Sequence, residues 1–493
     1  MKFFSTRGKD HEESFLNAVL QGLARDGGLY LPERWPNLSK DLEGFISLNY
    51  RDLCTNIFSY FMDDVAIEEI HQCVELGYQN VFEKDNLVDI KKVDDRYFLE
   101  LYHGPTSAFK DFALCLLPQF MKLAVKKTNC NSKILILTAT SGDTGKAALE
   151  GFKDVENTSI VVYYPTDGIS EIQKRQMITQ EGGNTIALGI RGNFDIAQST
   201  CKSIFTDSSV IDKLGDCGYQ LSSANSINIG RLLPQIIYYI YAYLQLCQKE
   251  EIQFGDKINV VVPTGNFGNI LASYYAKKLG LPIDRCICAS NRNNILTDFI
   301  NTGIYDTNRS FHKTISPSMD ILVSSNLERF LYEMTNDTDQ VRTWMEDLQK
   351  NGKYNIGNNL SILKNNFNGY FANDEETYEE IHRLYQLGYL VDTHTAVASL
   401  CFDKYQKETG DMKPAMIAST ASPFKFGTSV SRALGLKEDS NEFSLLKTIE
   451  KVTNVRMPDN LRNLESKKIT QHDILDPDMI KNDLLNRVKE KKI

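Results

Sequence analysis

Residues 133–165 read KILILTATSGDTGKAALEGFKDVENTSIVVYYP, and the order of textures in this stretch decides the fold. KILILTAT (133–140) predicts a strand, GKAALEGF opens a helix, and SIVVYYP (159–165) is a second strand. Two strands joined through a helix lie parallel, with the helix over one face of the sheet. The rhythm continues with the helix SEIQKRQMITQ, the strand NTIALGI (184–190) and a helix from about 195 to 205. A second series begins at KINVVVPT (257–264) and runs on through a helix in LASYYAKKLG to the strand RCICAS. A long helix over 226–249 separates the series, and PAMIAST (414–420) is a further short strand. The expected class is α/β: two α/β domains with mainly parallel sheets and a cleft between them. Ligands in such sheets bind beyond the carboxyl ends of the strands.

The boundaries expected from texture are a helix-rich N-terminal region (1–95), a large domain from 96–115 and 225–440, a small domain (116–224) and a charged helical extension (441–493) that packs on the surface. The Asn-rich stretch 350–375 reads as a loop insertion.

A chain of 493 residues is too long for one core. Its net charge, 55 − 64 = −9, is spread without a long basic block, which argues against a nucleic-acid partner. Ten cysteines are scattered with no C-x-x-C pair, so a reduced, cytoplasmic protein without a zinc site is expected. No signal-peptide core follows MKFF, and the longest apolar run, LLPQIIYYIYAYLQLC (232–247), is short for a membrane span. That run reads as a buried helix of a soluble protein. No His/Glu spacing resembles a metal site. His103 is expected to face the cleft, and His394 to support packing or a helix cap.

Three strand ends and one lysine are the candidates for chemistry, although each taken alone also reads as structural: a helix cap at 141–145, a bare turn at 264–269, a turn former at 419–420 and, at Lys110, a lysine whose stem lies along apolar surface with its ammonium in water. Ser141-Gly142-Asp143-Thr144-Gly145 lies between strand and helix, where backbone N–H groups face an anion. It is no nucleotide P-loop, because Thr140 and Ala147 replace the required glycine and hydroxyl residue. Thr264-Gly265-Asn266-Phe267-Gly268-Asn269 follows a valine-rich strand and suits a phosphate. Ser419-Thr420 ends a strand with hydroxyls that can hold a neutral ring nitrogen. Lys110, in HGPTSAFKDF (103–112), sits among aromatic residues that lower an amine's pKa by desolvation. Together these pieces suggest pyridoxal phosphate.

The order of motifs resembles the threonine synthase family, pyridoxal-phosphate enzymes of the tryptophan-synthase-β-like fold (fold type II), in its longer bacterial and fungal type. FFSTRG…FLNAVLQGLARDGGLYLPE, HGPTSAFKD, SGDTG, LSSANSINIGRLLPQ, TGNFGN, SPSMDILVSSNLERF, DTHTAVA and STASPFKF carry the resemblance through nearly the whole chain. It implies that Lys110 is the Schiff-base lysine and catalytic base. It implies that Gly265, Asn266, Phe267, Gly268 and Asn269 line the cofactor phosphate and that Thr420 meets the pyridine nitrogen. Ser141, Gly142, Asp143 and Thr144 would meet the substrate carboxylate, although Asp143 would repel the cofactor's phenolic oxygen unless protonated or turned away. Lys174, Asn225, Ser226 and Arg231 are candidates for the substrate phosphate, or are structural. The implied reaction is a lyase step turning O-phospho-L-homoserine and water into L-threonine and phosphate, in a monomer or homodimer. The alternatives are a phospho-lyase releasing 2-oxobutyrate, a dehydratase or sulfhydrylase on the same fold, and a non-catalytic binding protein. The N-terminal block speaks against the dehydratase or sulfhydrylase.

Overall fold

The computed structural model describes residues 1–493 apart from 167, 168, 193, 206, 438 and 492. The stretch Lys133–Ala139 is an inner strand of a five-stranded parallel sheet, ordered Ile474–Leu475, Thr185–Ile190, Thr158–Pro165, Lys133–Ala139, Tyr219–Ser223. Thr158–Pro165 is buried along its whole length because helices cover both faces, as parallel sheets require. The larger sheet is ordered Phe367–Phe371, Ile283–Ser290, Ile258–Pro263, Ala415–Ser419, Arg96–Glu100, Asp89–Val93. Its first five strands are parallel, and the last is an antiparallel edge.

The helix Ile229–Gln248 is buried over most of its length and packs on the helices Gly268–Lys278 and Asp111–Leu114. The second of these carries Lys110 at its start, and the ring of Phe112 anchors it among Tyr50, Phe82 and Tyr238 at centroid distances of 5.6, 4.9 and 5.5 Å. Among the described residues no helix is long and apolar enough to cross a membrane.

Four expectations need correction. The N-terminal region is not simply helix-rich: Phe3–Ser5, Gly8–Glu13 and Tyr30–Pro32 form an antiparallel sheet. Two of these strands are buried throughout and the third, GKDHEE, has no apolar residue, so none alternates. Asp89–Val93 belongs to the large sheet, so its strands begin before residue 96. The Asn-rich stretch is not a loop, since it contains the helix Leu360–Asn366 and the edge strand Phe367–Phe371, whose Asn and Gly disguise it. The C-terminal extension does more than pack on the surface, because Ile474–Leu475 extends the small sheet.

Candidate functional site

Lys110 is placed by a loop with little freedom. Asp111 accepts hydrogen bonds from Thr106 N (2.9 Å) and Thr106 Oγ1 (2.5 Å), and a Cβ on Gly104 would stand 2.5 Å from that carboxylate. Burial pushes the Asp111 carboxyl up to about 6. The backbone then joins the loop to the end of strand Ala415–Ser419: Phe109 N donates to Thr420 O (2.8 Å) and Ser422 N to Ser107 O (3.1 Å). Asn460, from the C-terminal extension, donates to Pro105 O (2.6 Å) and accepts from Ser107 Oγ (3.0 Å).

One pocket receives Lys110, Asp143, Thr144, Asn225, Ser226, Arg231, the loop Gly265–Asn269 and Thr420. Ser141, Gly142 and Lys174 do not line it. The Lys110 ammonium lies 3.7 Å from Asp143 Oδ2 and 4.6 Å from the centre of the Phe109 ring. Burial lowers its pKa; Asp143 opposes that shift, while Lys425 and Arg231 reinforce it.

At the glycine loop, Phe267 is left-handed (φ +60°), a conformation that costs a non-glycine residue roughly 1–2 kcal/mol. Contacts that fix the loop offset this cost. Ser324 Oγ donates to Gly265 O (2.7 Å), Asn326 N and Nδ2 both donate to Asn266 O (3.1 Å each), and the Phe267 ring packs on Phe367. The carbonyls are thus engaged, and the first N–H groups of helix Gly268–Lys278, which have no intrahelical partner, remain for an anion. A Cβ on Gly265 would stand 2.5 Å from Ser318 O. Buried Arg329 ties this brace to the N-terminal sheet, donating to Tyr30 O (3.0 Å), Ile227 O (2.6 Å) and Asn326 Oδ1. The N-terminal block therefore supports the site from behind.

Two buried donors in the pocket lack protein partners. Asn269 Oδ1 accepts from the Tyr238 and Tyr239 hydroxyls, but its Nδ2 is unpaired. Arg231 donates through Nη1 to Ala224 O (2.5 Å), its Nε is unpaired, and no carboxylate pairs with it among the described residues. Burial lowers its pKa to about 10, so it remains a cation at neutral pH. Thr420 Oγ1 makes no protein hydrogen bond among the described residues. An orphaned amide at a glycine loop, a desolvated lysine and a free hydroxyl fit pyridoxal phosphate; the unpaired guanidinium fits a further anion.

Three polar residues of the pocket wall, Gln235, Ser318 and His394, were not read from the sequence as ligands, and neither was Lys425, which does not line the pocket but pairs with Asp143, which does. Lys425, wholly buried, stands 2.6 Å from Asp143 Oδ1 and donates to Thr106 O (3.0 Å). The argument that singled out Lys110 in AFKDF applies equally to it in PFKF. Held by Lys425 and by Gln173 Nε2 (3.0 Å), Asp143 is kept ionised, its pKa well below the usual carboxylate range despite burial. His394 lines the pocket, with Nδ1 on Asp392 (2.7 Å) and Nε2 accepting from Ser318 N (3.1 Å). The helix cap is Asp392, not His394. Ser318 and Gln235 complete the wall, and no periodicity marks them. His103 does not line the pocket: its Nε2 lies 2.7 Å from Glu100 Oε2. Glu100, His103 and Asp89 bring ligand atoms within 4.8 Å of one another, but Lys84 and Lys91 lie 2.5 and 3.2 Å from Asp89 and supply the cations there.

Residues 2–78 match the family described as "Threonine synthase N terminus". Threonine synthase-like 1 of Mus musculus is 40% identical over 88% of this chain, which spans 61% of that protein's length. Threonine synthase of Eremothecium gossypii is 33% identical over 97% of this chain and 96% of its own. A crystal structure titled as PLP-bound threonine synthase from Brucella melitensis superposes with a TM-score of 0.86 at 33% identity, covering 99% of this chain and 100% of the other.

Proposed function

The chain belongs to the threonine synthase family, and from that premise we propose that it converts O-phospho-L-homoserine and water to L-threonine and phosphate. Pyridoxal 5'-phosphate, held by Lys110, the loop Gly265–Asn269 and Thr420, supplies the electron sink that acidifies the substrate's α and β protons. The chain's own residues do the rest. Lys110 binds the cofactor through its amine and, when free, moves the protons at Cα and Cβ, since desolvation keeps a share of it unprotonated. Thr144, which lines the pocket at the start of helix Asp143–Phe152, receives the substrate carboxylate; Ser141 and Gly142 of the same turn lie outside the pocket wall and shape the turn. Arg231, with Asn225 and Ser226, holds the departing phosphate; Lys174 on the neighbouring helix is the remaining candidate cation.

The observation that carries this reading is the juxtaposition of a desolvated Lys110 with two separate unpaired anion donors, Asn269 Nδ2 and Arg231 Nε. A cofactor phosphate accounts for one and a substrate phosphate for the other. The test is incubation of the purified protein with O-phosphohomoserine, following threonine, 2-oxobutyrate and phosphate separately. Threonine and phosphate in equal amounts are expected. Phosphate with 2-oxobutyrate and no threonine would replace the proposal with a phospho-lyase, and cofactor binding without turnover would leave a binding protein. Ten cysteines without a disulfide fit a reducing compartment, the cytoplasm. The net charge of −9 fits small-molecule rather than nucleic-acid partners, for a monomer or homodimer.

A further inference from the structure

We propose that Lys425 is a positioning residue for Lys110: by pairing with Asp143, it prevents that carboxylate from capturing the Lys110 ammonium in a closed ion pair. The geometry is specific. Asp143 Oδ1 is 2.6 Å from Lys425 Nζ and accepts from Gln173 Nε2 at 3.0 Å, whereas Oδ2, with Ser318 Oγ at 3.5 Å, stays 3.7 Å from Lys110 Nζ. Lys425 has no solvent exposure and is aimed by its second bond, to Thr106 O in the loop that precedes Lys110. The two lysines therefore share one carboxylate, and the buried cation holds the shorter contact.

A buried carboxylate with a single cationic neighbour binds it strongly and raises that amine's pKa. With Lys425 in place, Asp143 is already neutralised, and Lys110 faces Asp143 against two cations, Lys425 and Arg231. His394 lines the same pocket from the helix Thr393–Thr409, and the Phe109 ring covers the amine. The pair also orients Asp143, so that an ionised carboxylate beside the cofactor pocket is turned toward Lys425. This meets the repulsion problem that an aspartate at this position raises.

The value of a free Lys110 amine rests on the function proposed above, but the test does not. In the full-length protein freed of cofactor, Lys110 is labelled with acetic anhydride across pH, and its peptide is quantified by mass spectrometry. Lys425→Met is expected to move the half-labelling pH of Lys110 upward by about 1–3 pH units, the usual effect of an opposite charge at this range. Lys425→Arg is expected to hold it near the parent value. Asp143→Asn leaves Lys110 facing only cations and is expected to move it downward by a similar amount. Should Lys425→Met prove insoluble, Lys425→Gln, which removes the charge but keeps a polar end group near Thr106 O, takes its place with the same expectation. An unchanged or lower midpoint in Lys425→Met, or an unchanged one in Asp143→Asn, overturns the proposal. Because no cofactor or substrate is present, failure of the threonine synthase reading cannot produce or hide these shifts.

Discussion

Gly151→Ala is expected to destabilise the protein although alanine is the better helix former. Gly151 is the penultimate residue of helix Asp143–Phe152, and a Cβ there would lie 1.9 Å from Leu114 O. That obstacle is backbone, at the end of the helix that starts beside Lys110. Relief to a tolerable 3.0 Å requires the two helices to part by about 1 Å. Overpacking of this kind costs about 1–3 kcal/mol, while replacing a helical glycine by alanine gains about 0.5–1 kcal/mol. The net runs from about zero to a loss of about 2.5 kcal/mol, centred near a loss of about 1 kcal/mol. Gly215→Ala provides the control: it is also penultimate, in helix Ser208–Asp216, is exposed, and has nothing within 4 Å of its would-be Cβ. It should gain the full propensity term of about 0.5–1 kcal/mol. Urea unfolding followed by circular dichroism should therefore place Gly151→Ala below Gly215→Ala in stability by at least about 0.5 kcal/mol. Leu114 N also donates to Lys110 O at 2.9 Å, so Gly151→Ala should load cofactor less well, while Gly215→Ala should be unaffected. A Gly151→Ala protein at least as stable as Gly215→Ala would refute the close-approach argument.

Arg231→Met should lower kcat/KM for O-phosphohomoserine by about 10- to 100-fold, from the loss of charge-assisted hydrogen bonds worth roughly 1.5–3 kcal/mol; unchanged kinetics would remove Arg231 from the substrate site. Asp111 gives an unusual pH dependence. Its folded pKa of about 6 lies above the ordinary 3.8, so the folded state binds the extra proton and this group's contribution to stability falls as pH rises between them. The shift amounts to on the order of 3 kcal/mol, so the parent should lose stability relative to Asp111→Asn from about pH 4 to pH 6 in paired urea titrations. A flat or opposite difference counts against it. Asn460→Ala removes two hydrogen bonds to the lysine loop, each worth about 0.5–1.5 kcal/mol, and should weaken cofactor affinity up to about tenfold. Equal affinity by cofactor titration would show that the C-terminal extension does not hold the loop.

The parts of this protein that could be read from sequence are those whose physics is local. Parallel strands buried on both faces announce themselves as runs such as ILILTA and IVVYY, and the first is followed by the small residues Ser141–Gly145 that open a helix. Lys110 was conspicuous because its neighbours are apolar. Elements without an internal signal were missed: the two-residue strand Ile474–Leu475, the Asn-bearing edge Phe367–Phe371, and the fully buried Phe3–Ser5. Local pattern also misplaced His103, since it cannot say which side of a loop faces a cleft, whereas His394 packs on Phe426 as expected and lines the pocket as well.

Sequence by itself determined that a lysine, a phosphate-type loop and a terminal hydroxyl exist at strand ends of an α/β protein, because propensity, desolvation and turn geometry are properties of neighbouring residues. Only the tertiary structure decided which charges meet. Lys425 lies 315 residues from Lys110, yet both reach Asp143, because backbone bonds join the loop at 105–109 to the loop at 420–422. Charge in a buried site depends on distance and on exclusion of water, and neither is written in the order of the chain.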